Sequence, residues 1–444
     1  MKILFCLHHF FPFKVGGTEH YVLSLSKSLI AKGYEAVVVT PGFDEKEEQE
    51  YFYEGVRVIR YAETSEDDRL MIMGFRKPRG LNNFESILKK EQADVIHFQE
   101  LIGGRGPNVF HVEVAKQLNA AIFLTTHLTY YTCSTGTLLF KGQEKCDGKI
   151  IVSRCSKCIL AAKGTNPLLQ SLLFNTGTLM YRLGINPLKQ NTSFGTALGI
   201  PWLVKRKKDD WEKLSQLCDT IITPAHFYRE VLRMNDTSPH KLHCITQGMN
   251  IHGNAAEANP KKDGIFRIAY FGRVTKIKGL DVLIKAMGQL HNKKVTLDIY
   301  GGYDATEGFY ESCRKLADIN QNIHWVGLVE ANDVVHSMRT YDVICIPSFF
   351  EMSPLVIQEA FAAGVPVLAS DVPGNKEQIT DGVNGWLFHP GDAIELSAKI
   401  QMLMASPGII ERTKQTIPGV KSFETVATEY IRLYKSTLSK TAIA

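Results

Sequence analysis

Several absences narrow the class of this chain. No stretch of about 20 apolar residues occurs in its 444 positions, so no segment is suited to span a bilayer. The opening MKILFCLHHF has one lysine, a short apolar run and no small-residue cleavage site, which reads as a first strand and not a signal peptide. The net charge of +5 is too small for this length to mark a nucleic-acid binder. There is no short-period repeat and no low-complexity tract. No G-x-G-x-x-G follows the first strand, which argues against a Rossmann dehydrogenase. No D-x-D occurs either, so a diphosphate would be held by cations and backbone amides, with no metal cofactor for catalysis. Of nine cysteines, five (Cys6, Cys218, Cys244, Cys313 and Cys345) lie scattered in apolar contexts. They are expected to be reduced core thiols, as in a cytoplasmic protein.

What is present is the composition of a soluble globular protein, 44% apolar and 22% charged, and too long for one core. Near-continuous apolar strands alternate with helical patterns in both halves. The first half gives Lys2–Leu7, Ala36–Thr40, Asp94–Phe98, Ala121–Thr126 and Thr220–Thr223. The second gives Phe266–Phe271, Val295–Tyr300, Ile323–Val326, Val343–Ile346 and Val365–Ala369. Such strands indicate parallel sheets covered on both faces. The expected fold class is α/β, with two doubly wound Rossmann-like domains facing a deep interdomain cleft. The N-terminal domain is expected over 1–255, with a cysteine cluster at 133–158 and a helical insert at 164–212. A polar linker, 253–264, leads to a second domain over 264–418, and residues 419–444 form a helix that crosses back to the first domain. The acidic run Asp44 to Glu50 is expected to be a solvated loop.

Three stretches carry candidate chemistry. In HFFPFKVGGTE, Gly16 and Gly17 open helix 18–32, where backbone could approach an anion; a tight strand-to-helix turn would use glycines as well. In YFGRVTKIKG, Arg273 and Lys278 bracket a turn and could converge on a phosphate; a solvated surface is the alternative. In FFEMSPLVIQEAFAAGVPV, Ser353 is expected as N-cap, Pro354 at the first helical position and Gly364 as the stop. Glu351 then precedes the helix, and Glu359 lies inside it among apolar residues. A carboxylate there could hold the vicinal hydroxyls of a ribose or belong to a buried structural ion pair.

The stretches FGRVTKIKG and PSFFEMSPLVIQEAFAAGVPVLASDVPGNKEQITDGVNGWLF resemble the C-terminal domain of the family-4 retaining glycosyltransferases, enzymes of the GT-B fold with an E-x7-E motif. GGTEHYVLSLSKSLIAKGYEAVVVT, DVIHFQ, TTH and CDTIITPAHFYREVL resemble the N-terminal, acceptor-binding domain. The resemblance implies that Arg273 and Lys278 bind the diphosphate of a UDP- or GDP-sugar and stabilise its leaving charge. Glu359 would hold the ribose, and Glu351 would face the sugar. Leu355 and Val356, behind Ser353 and Pro354, would offer amides to the phosphates. Gly16 and Gly17 would lie against the diphosphate, and His127 would reach the sugar ring. The acceptor would be a glycan or a polyprenyl or other lipid-linked molecule, in cell-surface polysaccharide or glycolipid synthesis. Met352-Ser353-Pro354 departs from the family's usual Phe-Gly, and TQGMN (246–250) lacks its usual acidic turn; both bear on which sugar is used. A nucleotide-sugar epimerase is the alternative enzyme, and a non-catalytic binding protein the alternative class.

Two features stand apart. Leu168, Leu169, Leu172, Leu173, Leu179, Met180 and Leu183 recur at helical spacing ahead of Lys205-Arg206-Lys207-Lys208. They form a core helix, an acceptor lid or a peripheral contact with the anionic inner face of a membrane. Cys133, Cys146, Cys155 and Cys158 are separated by twelve, eight and two residues, and the closing C-x2-C suits a structural zinc. Disulfides, an iron–sulfur cluster and unligated thiols are its rivals.

Overall fold

The computed structural model describes residues 1–14, 16–64, 68–101, 106–250, 263–290, 294–303 and 308–441. The expected linker 253–264 therefore lies, up to 262, outside the described residues. The chain divides into two compact units, one made of Met1–Thr246 with Phe423–Ala444, the other of Gln247–Ser422.

Unit 1 begins β1 (Lys2–Cys6), β2 (Glu35–Phe43), β3 (Gln49–Tyr53), β4 (Val56–Glu63), β5 (Val95–Gln99) and β6 (Ala121–Thr125). A separate hairpin pairs β7 (Leu139–Phe140) with β8 (Glu144–Lys145). With β9 (Thr220–Thr223) and β10 (Leu242–Cys244), the main sheet runs β10-β9-β6-β5-β1-β2-β4-β3. All its pairs are parallel except β3–β4. The central strands are buried along their whole length, β5 and β6 without a break, because helices cover both faces. Helix Gly17–Ala31 stops at Lys32, with Gly33 at φ +81 as the residue that turns the chain away.

The β3–β4 edge replaces part of the loop expected at 44–50. Glu50 sits in β3 and pairs with Arg57 at 2.8 Å, while Glu45 pairs with Arg60 and Glu48 with Lys90. The carboxylates of the acidic run are matched to arginines on β4 and a helical lysine, so most of them are not simply solvated.

The C-terminal helix Phe423–Thr441 belongs to unit 1. It buries Phe423, Val426, Ala427, Tyr430 and Tyr434 at i, i+3/i+4, i+7 and i+11, one continuous face, in the same core as Tyr21, Leu25 and Phe123. Its helix-spaced aromatics give unit 1 a core layer contributed from the far end of the chain.

Unit 2 holds a six-stranded, wholly parallel sheet: β11 (Phe266–Phe271), β12 (Val295–Tyr300), β13 (Ile323–Gly327), β14 (Val343–Ile346), β15 (Val367–Ser370) and β16 (Gly385–Phe388), ordered β13-β12-β11-β14-β15-β16. The parallel strands of each unit reverse their order once, between β1 and β5 and between β11 and β14. Ligands of doubly wound sheets bind beyond the carboxyl ends of the strands at such points. All nine cysteines are free, with Cys6, Cys218, Cys313 and Cys345 buried and Cys244 partly so. Among the described residues no helix is long and apolar enough to cross a membrane.

Candidate active site

In unit 2 the turn after β11 is set by a glycine that nothing else could replace. Gly279 has φ +66, and a side chain on it would meet the Pro347 carbonyl at 2.1 Å. This close approach docks the turn Lys276–Lys278 on the loop behind β14, where the Phe349 amide donates to the Ile277 carbonyl at 2.8 Å. Lys278 consequently reaches Glu351, Nζ to Oε1 at 2.6 Å, and Ser348 Oγ donates to the same oxygen at 2.7 Å. Glu351 is only 7% exposed; the two donors offset the cost of taking its charge out of water. Gly374 packs beneath it, since a Cβ there would meet the Glu351 carbonyl at 2.4 Å. The cation expected on a diphosphate and the acid expected on a sugar thus form one ion pair. Ser348 and Gly374 belong to this site and were not marked by any sequence motif. Arg273 is exposed, and its guanidinium has no partner among the described residues.

The helix that follows runs Leu355–Ala362 and begins one residue later than expected. Pro354 occupies the N-cap, and no side chain caps the helix, so Ser353 is not the cap. The first-turn amides at Leu355 and Val356 are left to an external acceptor. Gly364, at φ +72, ends the helix. Glu359 is held among apolar neighbours, and burial pushes its carboxyl up to about 7. Its carboxylate makes no hydrogen bond or ion pair with any described residue. The structural ion pair weighed for it therefore has no partner here.

In unit 1 the candidate residues gather at the carboxyl ends of β1, β5 and β6. Gly16 is the N-cap of helix Gly17–Ala31, in extended conformation, with no side-chain cap. A side chain on Gly17 would meet nothing within 4 Å, and one on Gly16 would meet only the movable Glu19 carboxylate. Local packing does not require these glycines, which removes the tight-turn explanation and leaves the backbone open to an approaching group.

His127, separated from the end of β6 by Thr126, is buried, and burial lowers its pKa to about 4, so the ring is neutral at ordinary pH. Its Nε2 lies 2.8 Å from Gln99 Oε1. An amide oxygen only accepts, so Nε2 carries the proton and Nδ1 keeps a lone pair. Gln99 in turn donates to His97 Nε2 at 3.0 Å, and His97 Nδ1 donates to Tyr434 at 2.7 Å. Thr125 Oγ1 bonds His97 Nε2 at 2.8 Å and Tyr430 at 3.2 Å, and Tyr21 donates to Tyr430 at 3.0 Å. The chain of bonds fixes the tautomer of His127 from the C-terminal helix.

Glu100 follows β5 and was missed in the sequence. It is a non-glycine residue at φ +72, 2% exposed. Its Oε2 accepts the Leu128 amide at 2.9 Å, while Oε1 is buried without a hydrogen-bond partner among the described residues. Burial pushes its carboxyl up to about 8, against the opposing pull of Tyr131 and the Leu128 amide. A left-handed backbone holding a buried acid with a raised pKa at a strand end is a feature of functional sites. Only the position directly after an apolar strand could have drawn attention to it.

Residues 254–420 match the family profile described as glycosyl transferases group 1, and residues 15–167 match that of glycosyltransferase family 4. An uncharacterized glycosyltransferase of Methanocaldococcus jannaschii is 26% identical over 236 residues, 49% of this chain and 60% of that protein. The D-inositol 3-phosphate glycosyltransferase of Corynebacterium aurimucosum is 26% identical over 239 residues, 49% of this chain and 57% of that protein. The chain thus spans under two thirds of the length of these relatives. Among solved structures, sucrose-phosphate synthase from Thermosynechococcus elongatus superposes with a TM-score of 0.65 at 18% identity, covering 99% of both chains. Anabaena HepE in complex with UDP and glucose gives 0.61 at 14% identity, covering 98% of this chain and all of that one. The fold is the two-domain α/β fold of the GT-B glycosyltransferases, and a glycosyltransferase profile matches part of each unit.

Proposed function

We propose that this chain of two glycosyltransferase domains is a retaining, family-4 hexosyltransferase that moves a sugar from a UDP- or GDP-sugar to a glycan or lipid-linked acceptor in cell-surface polysaccharide or glycolipid synthesis. The observation that carries the proposal is the Lys278–Glu351 ion pair at the strand-order reversal of unit 2, with Glu359 unpaired in the helix that follows. A nucleoside diphosphate would meet each group with its complement. Lys278 and exposed Arg273 would neutralise the departing diphosphate, assisted by the open amides of Leu355 and Val356. Glu359 would accept the two ribose hydroxyls, and Glu351 would face the sugar. UDP is present in the solved HepE structure, which supports a nucleotide-sugar donor here.

On the acceptor side, Nδ1 of His127 would accept a sugar hydroxyl, and Glu100 would hold the acceptor hydroxyl that attacks. Gly16 and Gly17 would leave their backbone open to phosphate. The bond from C1 to the diphosphate breaks as the bond to the acceptor oxygen forms on the same face. The acceptor proton leaves with the diphosphate, so no protein nucleophile is required. The test is transfer from UDP- and GDP-hexoses with the anomeric configuration of the product read by NMR. Retention is expected. An inverted product, or sugar epimerised on the nucleotide without acceptor, would contradict the reading.

A lipid-linked acceptor is supported by helix Pro167–Arg182. Leu168, Leu172, Leu179 and Leu183 are 85%, 62%, 56% and 63% exposed, while Leu173 alone of the leucines turns into the core. Residues 148–208 contain ten lysines and arginines and no acid. The basic run itself is not the free charge, because Lys205, Arg206 and Lys208 pair with Asp209, Asp210 and Glu212. Exposed Lys163, Arg182 and Lys189 flank the leucines without acidic partners among the described residues. This arrangement suits an anionic bilayer surface, which would place the protein at the cytoplasmic face of a membrane. Salt-sensitive flotation with phosphatidylglycerol vesicles, abolished in Leu168→Asp/Leu172→Asp, is expected; no flotation would remove the membrane role.

A further inference from the structure

We propose that Cys133, Cys146, Cys155 and Cys158 bind one structural zinc ion as four thiolates. The structure brings four cysteines from three separate segments to the lining of one cavity of about 30 Å³. Cys155 and Cys158 stand three residues apart on helix Val152–Ala162 and so share a face. Cys146 follows β8, and Cys133 follows the turn Thr129–Tyr131.

The backbone is arranged around the sulfurs at a cost. Lys141, a non-glycine residue at φ +53, donates its amide to Cys158 Sγ at 3.1 Å. Gly148, at φ +76 and too tightly packed on Val231 to take a side chain, aims its amide at Cys146 Sγ at 3.5 Å. Neutral thiols gain little from such donors, whereas thiolates gain much. Lys149 and Arg154 also line the cavity, where they would offset the charge of a zinc tetrathiolate. Of the apolar residues between Cys133 and Cys158, Leu138 and Ile150 alone are well buried, so the segment has little core of its own and would be tied together by the metal. Among the described residues, no three His, Cys, Asp or Glu side chains are grouped as a bound ion would hold them. The ring would close by side-chain rotation as each thiol gives up its proton to solvent.

The effect would reach the acceptor side of unit 1. Cys133 lies two residues from Tyr131, whose hydroxyl accepts the Leu101 amide at 2.6 Å beside Glu100. Thr129 in the same turn donates to the Gly136 carbonyl at 2.7 Å, inside the cysteine segment. Zinc here would brace the turn that positions Glu100 and take no part in transfer.

The test is elemental analysis of the full chain purified without chelator, with native thiol titration. About one zinc per chain is expected, with the four thiols protected until the metal is displaced. Zinc should fall to none in Cys155→Ser/Cys158→Ser. Should that variant not fold, the wild type reconstituted with cobalt should show the thiolate-to-cobalt charge transfer and the strong d–d bands of a tetrahedral site. Metal-free protein with all four thiols reactive, a disulfide among them, a brown iron-containing sample, or cobalt-loaded protein without those bands would each overturn the assignment.

Discussion

The two units share a doubly wound plan and place their candidate residues at the same kind of position, yet they are built by opposite means. In unit 2 the site comes from two short stretches, 272–279 and 347–359, with Gly374 packed beneath, and its side chains are charged. Lys278 meets Glu351 at 2.6 Å, and the Glu359 carboxylate has no partner among the described residues. In unit 1 the site is uncharged or neutralised by burial, and it depends on residues more than 300 positions apart, as in the bond between His97 and Tyr434. An anionic donor can be recognised by local cations and amides. Fixing the tautomer of a neutral histidine takes a network that only the folded chain can assemble.

The difference can be broken apart experimentally, and the largest effect should come from the C-terminal helix. Phe423, Val426, Tyr430 and Tyr434 are buried in unit 1, each worth about 1.5–3 kcal/mol. Their sum is comparable to the whole stability of a domain, about 5–15 kcal/mol. Deleting residues 423–444 should leave 1–246 open to proteolysis while unit 2, 247–422, resists. Equal resistance of both units would show that the helix is peripheral.

Next in size is the ion pair. Lys278→Ala and Glu351→Gln should each lower kcat/KM by about a hundredfold, because each removes charge stabilisation, and the first also leaves Glu351 buried without its cation. Ser348→Ala, which removes the second donor to Glu351, should cost about tenfold. Near-normal rates in all three would displace the chemistry from this pair.

A subtler separation uses pH. Burial raises Glu359 from 4.5 to about 7, so the folded chain keeps a proton that the unfolded chain has released between those values. Stability without donor should therefore be fuller at the acid end and fall as pH rises through that window. Donor binding should run the other way, strengthening toward pH 7 and above as the carboxylate forms to accept hydroxyls. Both trends should vanish in Glu359→Gln, measured by pH-dependent melting and donor titration. The smallest effect should be that of Tyr434→Phe, about 1 kcal/mol in stability with a few-fold loss of kcat and unchanged donor affinity.

The same contrast explains what could be read before folding. The strands of both sheets that are buried on two faces were legible as apolar runs, and so was the close spacing of Arg273, Lys278, Glu351 and Glu359. The β3–β4 edge was not, because Val56–Glu63 alternates, its partner β3 carries Glu50, which Arg57 neutralises, and the segment before β3 carries Glu45, which Arg60 neutralises. Nor were Gln99, Glu100, Tyr430 and Tyr434, whose roles arise from register and long-range packing and not from any local pattern. The helix start shifted by one residue because Pro354 takes the cap with no side-chain bond, a choice that the Ser-Pro pair conceals.

The central claim is that unit 2 holds a nucleoside diphosphate-sugar through Lys278 and Arg273. Thermal melting against a panel of UDP- and GDP-sugars, in the wild type and in Arg273→Ala/Lys278→Ala, tests it most directly. A donor at a hundred times its Kd stabilises a fold by about 2.7 kcal/mol, so at least one nucleotide-sugar should raise the wild-type Tm by a few degrees and leave the double variant unmoved. A double variant that responds as strongly as the wild type, or a wild type stabilised by no nucleotide-sugar, would contradict the account.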